Sequence, residues 1–201
     1  MAAFLVAAPL HAGKFNFFDS IKPLQDQGHN NCTVFSVDEK KHYFLTAAHC
    51  VGEHDAMGDF HLSYTLTIEK KTAQPFTVDL EHDIAALVAP DTKVPDLKLA
   101  TDDLDFGDEV YMAGHPLGWD ALILVTGKVA APHTIFQDKY HWTIFDITVG
   151  GGNSGSPVLN KKGEVVSIMQ AGWGRDLFSH MNLGPTQEVL REIAGKYFRR
   201  K

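Results

Sequence analysis

The sequence contains no apolar run approaching the ~20 residues that a membrane-spanning helix needs, so no membrane partner is expected. It also contains no internal repeat, no Ser/Gly linker and no low-complexity tract. Solenoids, collagen, coiled coils and disordered chains are thereby excluded as descriptions of the whole. Positive charge is scarce: 18 Lys and Arg stand against 25 Asp and Glu, a net charge of −7. A broad nucleic-acid-binding surface needs clustered Lys and Arg and is not expected. The one basic cluster, Arg199, Arg200 and Lys201, reads as a solvated tail. The 11 histidines, among them His54, His61, His82 and His115, include no HExxH and no Cys/His ligand spacing, so neither a metal nor a cofactor is expected. No assembly motif is present either, and a monomer is expected.

What is present is an ordinary globular balance. The 201 residues are 44% apolar and 21% charged, enough to bury a real core. The two cysteines, Cys32 and Cys50, are too few for a disulfide-dense scaffold or a Cys-only zinc site. They flank an expected hairpin: 33–37 is apolar and β-branched, 38–41 is a polar turn and 42–47 is apolar again. Such a hairpin would bring them together as one bridge; the alternative is two buried thiols. Residues 1–12 end in Leu10-His11-Ala12 and resemble the end of a signal peptide without its positive region; an ordinary apolar strand is the other reading. A bridge and a signal remnant would each point to a secreted or periplasmic location.

Short apolar runs broken by Gly, Pro, Asp and Asn dominate. Strands are expected at 33–37, 42–47, 60–68, 75–78, 84–88, 109–113, 123–130, 142–147, 157–160 and 165–170. That spacing suggests an all-β sandwich or pair of barrels. Helical spacing appears at the end, in Val189, Leu190, Ile193, Ala194, Tyr197 and Phe198, after a Pro185-Thr186 start signal. The polar stretch 96–105 is the expected connection between two halves.

Three segments carry chemistry. Leu45-Thr46-Ala47-Ala48-His49-Cys50 presents a histidine at a strand tip. His82-Asp83-Ile84-Ala85 sets an aspartate before a buried strand. Gly150-Gly151-Gly152-Asn153-Ser154-Gly155-Ser156-Pro157 encloses a serine in glycines. Alone, each is a turn or a cap. Together they supply what acyl transfer requires. A serine hydroxyl needs a base that takes its proton near neutral pH. The imidazole needs a carboxylate to fix its tautomer. The tetrahedral intermediate needs backbone N–H donors, and glycines let the chain turn such donors inward.

With TAAHC, HDIA and GNSGSP in the order His, Asp, Ser, the chain resembles chymotrypsin-fold serine proteases over roughly residues 30 to 195. It is most similar to bacterial glutamyl endopeptidases (through 152–158, Asn160 and 163–165) and to HtrA-type protease domains (through 107–110 and 114–118). The resemblance implies an all-β fold of two six-stranded antiparallel barrels with a C-terminal helix. It implies a division into 13–105, 106–185 and 186–201, after a possible remnant at 1–12. His49 would be the general base, Asp83 its orienting carboxylate and Ser154 the nucleophile. The N–H groups of Gly152 and Ser154 would form the oxyanion hole. A protein or peptide is the expected substrate.

Two departures matter. Asn153 stands where trypsin-type zymogens carry an activating Asp, so that ion pair is not expected to operate. Glutamyl endopeptidases hold a carboxylate with a Thr and a His, and the matched positions are Val149 and Met169, both apolar. Thr148 is expected near the pocket base, with Gln170, Ala171 and Gly172 as its edge, and His180 on a strand that also approaches it. An apolar residue before the scissile bond is the expected preference. Trp119, Trp142 and Trp173 are expected in the core or the cleft wall, with Trp173 the best placed of the three to touch substrate. The competing functions are a catalytically silent binding module on the same fold and an esterase-type acyl hydrolase.

Overall fold

The computed structural model describes residues 17–38, 40–136, 140–172 and 178–198. The possible signal remnant 1–12, Trp173 and the basic tail lie outside the described residues. In the first half the strands are β1 (Ile21–Asp26), β2 (His29–Asp38), β3 (Tyr43–Ala47), β4 (Gly52–His54), β5 (Phe60–Leu62), β6 (Thr67–Ile68), β7 (Lys71–Thr72), β8 (Gln74–Asp79) and β9 (Ile84–Val88). The second half contributes β10 (Glu109–Gly114), β11 (Ile123–Phe136), β12 (Tyr140–Gly150), β13 (Pro157–Leu159), β14 (Val165–Ile168), β15 (Ala171–Gly172), β16 (Phe178–Pro185) and the helix α1 (Gln187–Phe198). Among the described residues no helix is long and apolar enough to cross a membrane.

Two curled sheets result, each of seven strands rather than the expected six. Their orders are β7-β6-β1-β2-β3-β9-β8 and β14-β13-β10-β11-β12-β16-β15, and β4-β5 forms a separate ribbon. The added strands have local causes. The run 60–68 does not hold one direction: β5 pairs with β4 beside the His49 turn, while β6 joins β1. Glu69 and Lys70 both take positive φ, 51° and 63°, which is the two-residue turn that folds β7 back on β6. At the far edge of the second sheet, β15 pairs with β16 and, among the described residues, with no other strand.

Apolar faces fold inward by the period-2 rule. Val34, Phe44, Leu66, Ile68 and Leu87 fill the first half, and Val110, Met112, Phe145, Val158 and Val166 fill the second. A third cluster joins the halves: Phe35, Leu45 and Ile84 meet Leu159, Ile168 and the α1 residues Val189, Leu190 and Ile193. Thr186 starts α1, its carbonyl accepting from Leu190 N–H at 3.0 Å. The helix thereby closes the seam between the sheets.

Cys32 on β2 and Cys50 are joined in a disulfide with Cα atoms 5.9 Å apart. It ties the sheet to the short 3-10 turn Ala48–Cys50. Replacing both cysteines by alanine is expected to cost about 3 kcal/mol, read as a lower melting temperature; an unchanged melt would mean the bridge adds no stability.

Candidate active site

β3 ends at Ala47 and the chain turns at Ala48–Cys50, so His49 projects from the strand tip and is exposed. The disulfide on one side and buried Val51 on the other hold the turn. Asp83 closes the turn from β8 into β9 with φ of 50°, a conformation Asp adopts more readily than most residues. Its carboxylate meets His49 twice. Oδ2 lies 2.8 Å from Nδ1, and Oδ1 accepts the His49 backbone N–H at 2.9 Å. An ionised carboxylate only accepts, so Nδ1 is the donor of this contact, and the neutral tautomer that makes it has its lone pair on Nε2. His82 stays outside this pair: Asp79 takes its N–H at 2.9 Å and its ring at 3.1 Å.

The serine turn follows β12. Gly152 takes φ of 90° and Gly155 φ of 82°. A Cβ on Gly152 would lie 2.5 Å from His115 O, and one on Gly155 would lie 2.2 Å from Thr33 O. Only glycine fits either place. The carbonyls of the turn are all directed elsewhere. Gly151 O accepts from Leu117 N–H at 2.6 Å, Gly152 O from the Thr33 hydroxyl at 3.1 Å, and Asn153 O from Ser156 N–H at 3.0 Å. In a trans peptide the N–H points opposite to the preceding C=O. The N–H groups of Gly152 and Ser154 are thus turned away from those partners, and neither has an acceptor among the described residues. Thr33 N–H to Ser154 O at 2.8 Å fixes the serine backbone to β2.

His49 and Ser154 line one cleft of about 620 Å³, together with Cys32, Cys50, Asp26, Glu53 and His61. The donor atoms of Cys32, His49 and Cys50 lie within 4.8 Å of one another. The two sulfurs are bonded to each other, however, and a disulfide offers no thiolate to a metal. His115, 4% exposed, backs the glycine turn; burial pushes its imidazole below the ordinary histidine range, against a smaller opposing effect of its hydrogen bond to Trp119 O.

The expected pocket residues divide. Thr148 is half-buried, and its hydroxyl is 3.1 Å from His180 Nδ1 across a register irregularity between β12 and β16. Ala171 and Gly172 are exposed on β15. Val149 and Met169 are only 6% and 2% exposed and pack into the core of the second half. Gln170 reaches the Asp83 turn with its amide, and with Ala171, Asp83 and Trp142 it lines a cavity of about 220 Å³. Asn153 is buried and bears no charge.

Sequence reasoning missed Thr33. It grips the serine turn by its N–H and its hydroxyl, and its Oγ1 accepts His115 N–H at 3.0 Å. No signal in its own segment could have found it, because its partners lie 82 and 119 residues away.

Two curled antiparallel sheets, with the histidine and aspartate on one and the serine turn on the other, make a chymotrypsin-like architecture. The chain belongs to the family of trypsin-like peptidase domains, which it matches over residues 31–168, more than half its length. It is 32% identical over 128 residues to a probable periplasmic serine endoprotease, DegP-like, of Ectopseudomonas mendocina, covering 63% of this chain and 26% of that protein. A protein of the same description from Chlamydia trachomatis is 30% identical over 109 residues, covering 51% and 21%. The chain thus spans about a quarter of the length of the curated relatives it matches. Among solved structures, the inactive form of the Rv3671c protease superposes with a TM-score of 0.71 at 19% identity, over 90% of this chain and 89% of that one. The HtrA-type protease AlgW with tripeptide superposes with a TM-score of 0.69 at 21% identity, over 90% and 60%.

Proposed function

We propose that the chain is a serine endopeptidase acting through an acyl-enzyme, with Ser154 as nucleophile, His49 as general base and Asp83 as its orienting carboxylate. The observation that carries this reading is the two-point contact of Asp83 with His49 in the cleft that Ser154 lines. Ser154 Oγ attacks the peptide carbonyl and its proton passes to His49 Nε2. Asp83 stabilises the imidazolium so formed. The carbonyl oxygen, now negative, receives the N–H groups of Gly152 and Ser154. His49 then protonates the leaving amine, and water repeats the cycle on the acyl group.

The proposed substrate is a protein or peptide held as an extended strand. For the residue before the scissile bond we keep an apolar preference. Its support is an exposed edge of Ala171 and Gly172, with the Thr148 hydroxyl bonded to His180 rather than to a carboxylate. The disulfide, together with the periplasmic relatives, supports a secreted or periplasmic location.

The experiment is labelling by a fluorophosphonate probe, followed by profiling on a peptide library. The native chain is expected to be labelled and Ser154→Ala is not, with cleavage after apolar residues. Labelling of neither chain would overturn the reading in favour of a silent binding module. Labelling with turnover of esters and no peptide would mean an acyl hydrolase. A profile dominated by Glu, Lys or Arg would sink the apolar preference.

A further inference from the structure

The Asp83 turn is held from the opposite half of the molecule. Gln170 follows β14, and its Nε2 donates to Asp83 O at 3.0 Å and also to His82 O. One amide nitrogen carries two hydrogens, so a single side chain serves both carbonyls. Gln170 is 8% exposed, and a buried amide that lost such partners would be costly. Ala48 N–H adds a second donor to Asp83 O at 3.1 Å. Asp83 itself sits at positive φ, a conformation that persists when surroundings hold it.

The residue before it grips the other turn. Met169 O accepts Gly155 N–H at 2.7 Å, and Met169 N–H donates to Ser156 O at 2.8 Å. Two adjacent residues therefore hold the serine turn through the backbone of one and the aspartate turn through the side chain of the other. The His49–Asp83 pair belongs to the first half and Ser154 to the second, where Thr33 of β2 also holds the serine turn. Met169-Gln170 reaches both turns in a single dipeptide.

We propose that Gln170 is a positioning residue of this site: by holding the carbonyls of His82 and Asp83 it aims the Asp83 carboxylate at His49 and keeps that pair in register with the serine turn. This rests on the roles given above to His49, Asp83 and Ser154. A buried glutamine that merely satisfies two carbonyls would support folding and leave the chemistry of each folded molecule unchanged.

Gln170→Met separates the two, since methionine keeps the length and volume and removes both donors. The kcat per active site, counted by fluorophosphonate titration, is expected to fall roughly 10- to 100-fold, as for a misplacement of under an ångström or so. KM is expected to stay within about twofold. Gln170→Asn, which keeps the donors at shorter reach, is expected to fall between. The second readout needs no turnover. In a Ser154→Ala background, the downfield proton resonance of His49 Nδ1–H is expected to move upfield and broaden when Gln170→Met is added. Native kcat per titrated site with an unchanged resonance overturns the proposal, and so does a lower melting temperature without a kinetic change. If the native chain itself is not labelled, the endopeptidase reading fails, and the resonance alone decides whether Gln170 aims Asp83.

Discussion

Asp83→Asn is expected to lower kcat about 10⁴-fold, the scale set by loss of the correct histidine tautomer in a Ser-His-Asp site. The geometry gives the reason. The His49 backbone N–H can only donate, and it already takes Asp83 Oδ1 at 2.9 Å. An asparagine must turn its carbonyl to that N–H and present its NH₂ to Nδ1, where Oδ2 now sits at 2.8 Å. Nδ1 then becomes the acceptor and the proton moves to Nε2. An imidazole in that form cannot take the Ser154 proton. Flipping the amide only sets two donors against each other at the backbone. Substrate contacts elsewhere in the cleft are untouched, so KM is expected to change little. A steady-state comparison with the native chain checks this; activity within tenfold of native would remove Asp83 from its proposed role.

Gly152→Ala carries the second large effect. The added Cβ would lie 2.5 Å from His115 O and 3.0 Å from Leu117 N, both backbone atoms, at a φ of 90°. Neither neighbour can rotate out of the way, so the 151–152 peptide must turn and take its N–H with it. Loss of one oxyanion donor costs about 10²–10³ in kcat. The expected result is that loss, with slower fluorophosphonate labelling and a far-ultraviolet spectrum unchanged from native. Full activity would mean that the Gly152 N–H does not meet the oxyanion. Ser154→Ala should differ from both in losing covalent labelling altogether.

The strand pattern was legible where the alternation of apolar and polar residues is local. β9 at Ile84–Val88 coincides with the expected run, and β3 and β14 depart from theirs by a residue or two. Legibility failed where a strand is short, polar or dependent on a partner. β1, with Lys22, Pro23 and Gln25, gives no clean period of its own and is a strand because β2 and β6 flank it. β16 has no place among the expected runs, although His180 was expected on a strand, because His180, Asn182 and Gly184 break the apolar alternation. The seven-strand sheets follow from the Glu69-Lys70 turn and from β15, neither of which alternation announces.

The candidates proposed as nucleophile, base and carboxylate were readable, because a serine, a histidine and an aspartate in glycine-rich or strand-end settings are local signals. The sequence by itself determined the residue types, their order and the positions where only glycine can turn. The tertiary structure alone decided which side chains face the cleft. Val149 and Met169 look like pocket walls in sequence and are turned into the core. Gln170 was expected at a pocket edge and its amide also reaches the Asp83 turn, while Thr33 looks like a core strand residue and holds the serine turn. The physical reason is that a strand's side chains alternate between faces, so a slip of one residue exchanges inside for outside. The irregularity between Asp146 and Val149 on β12 makes such a slip beside the pocket, and it is set by pairing with β16, far along the chain.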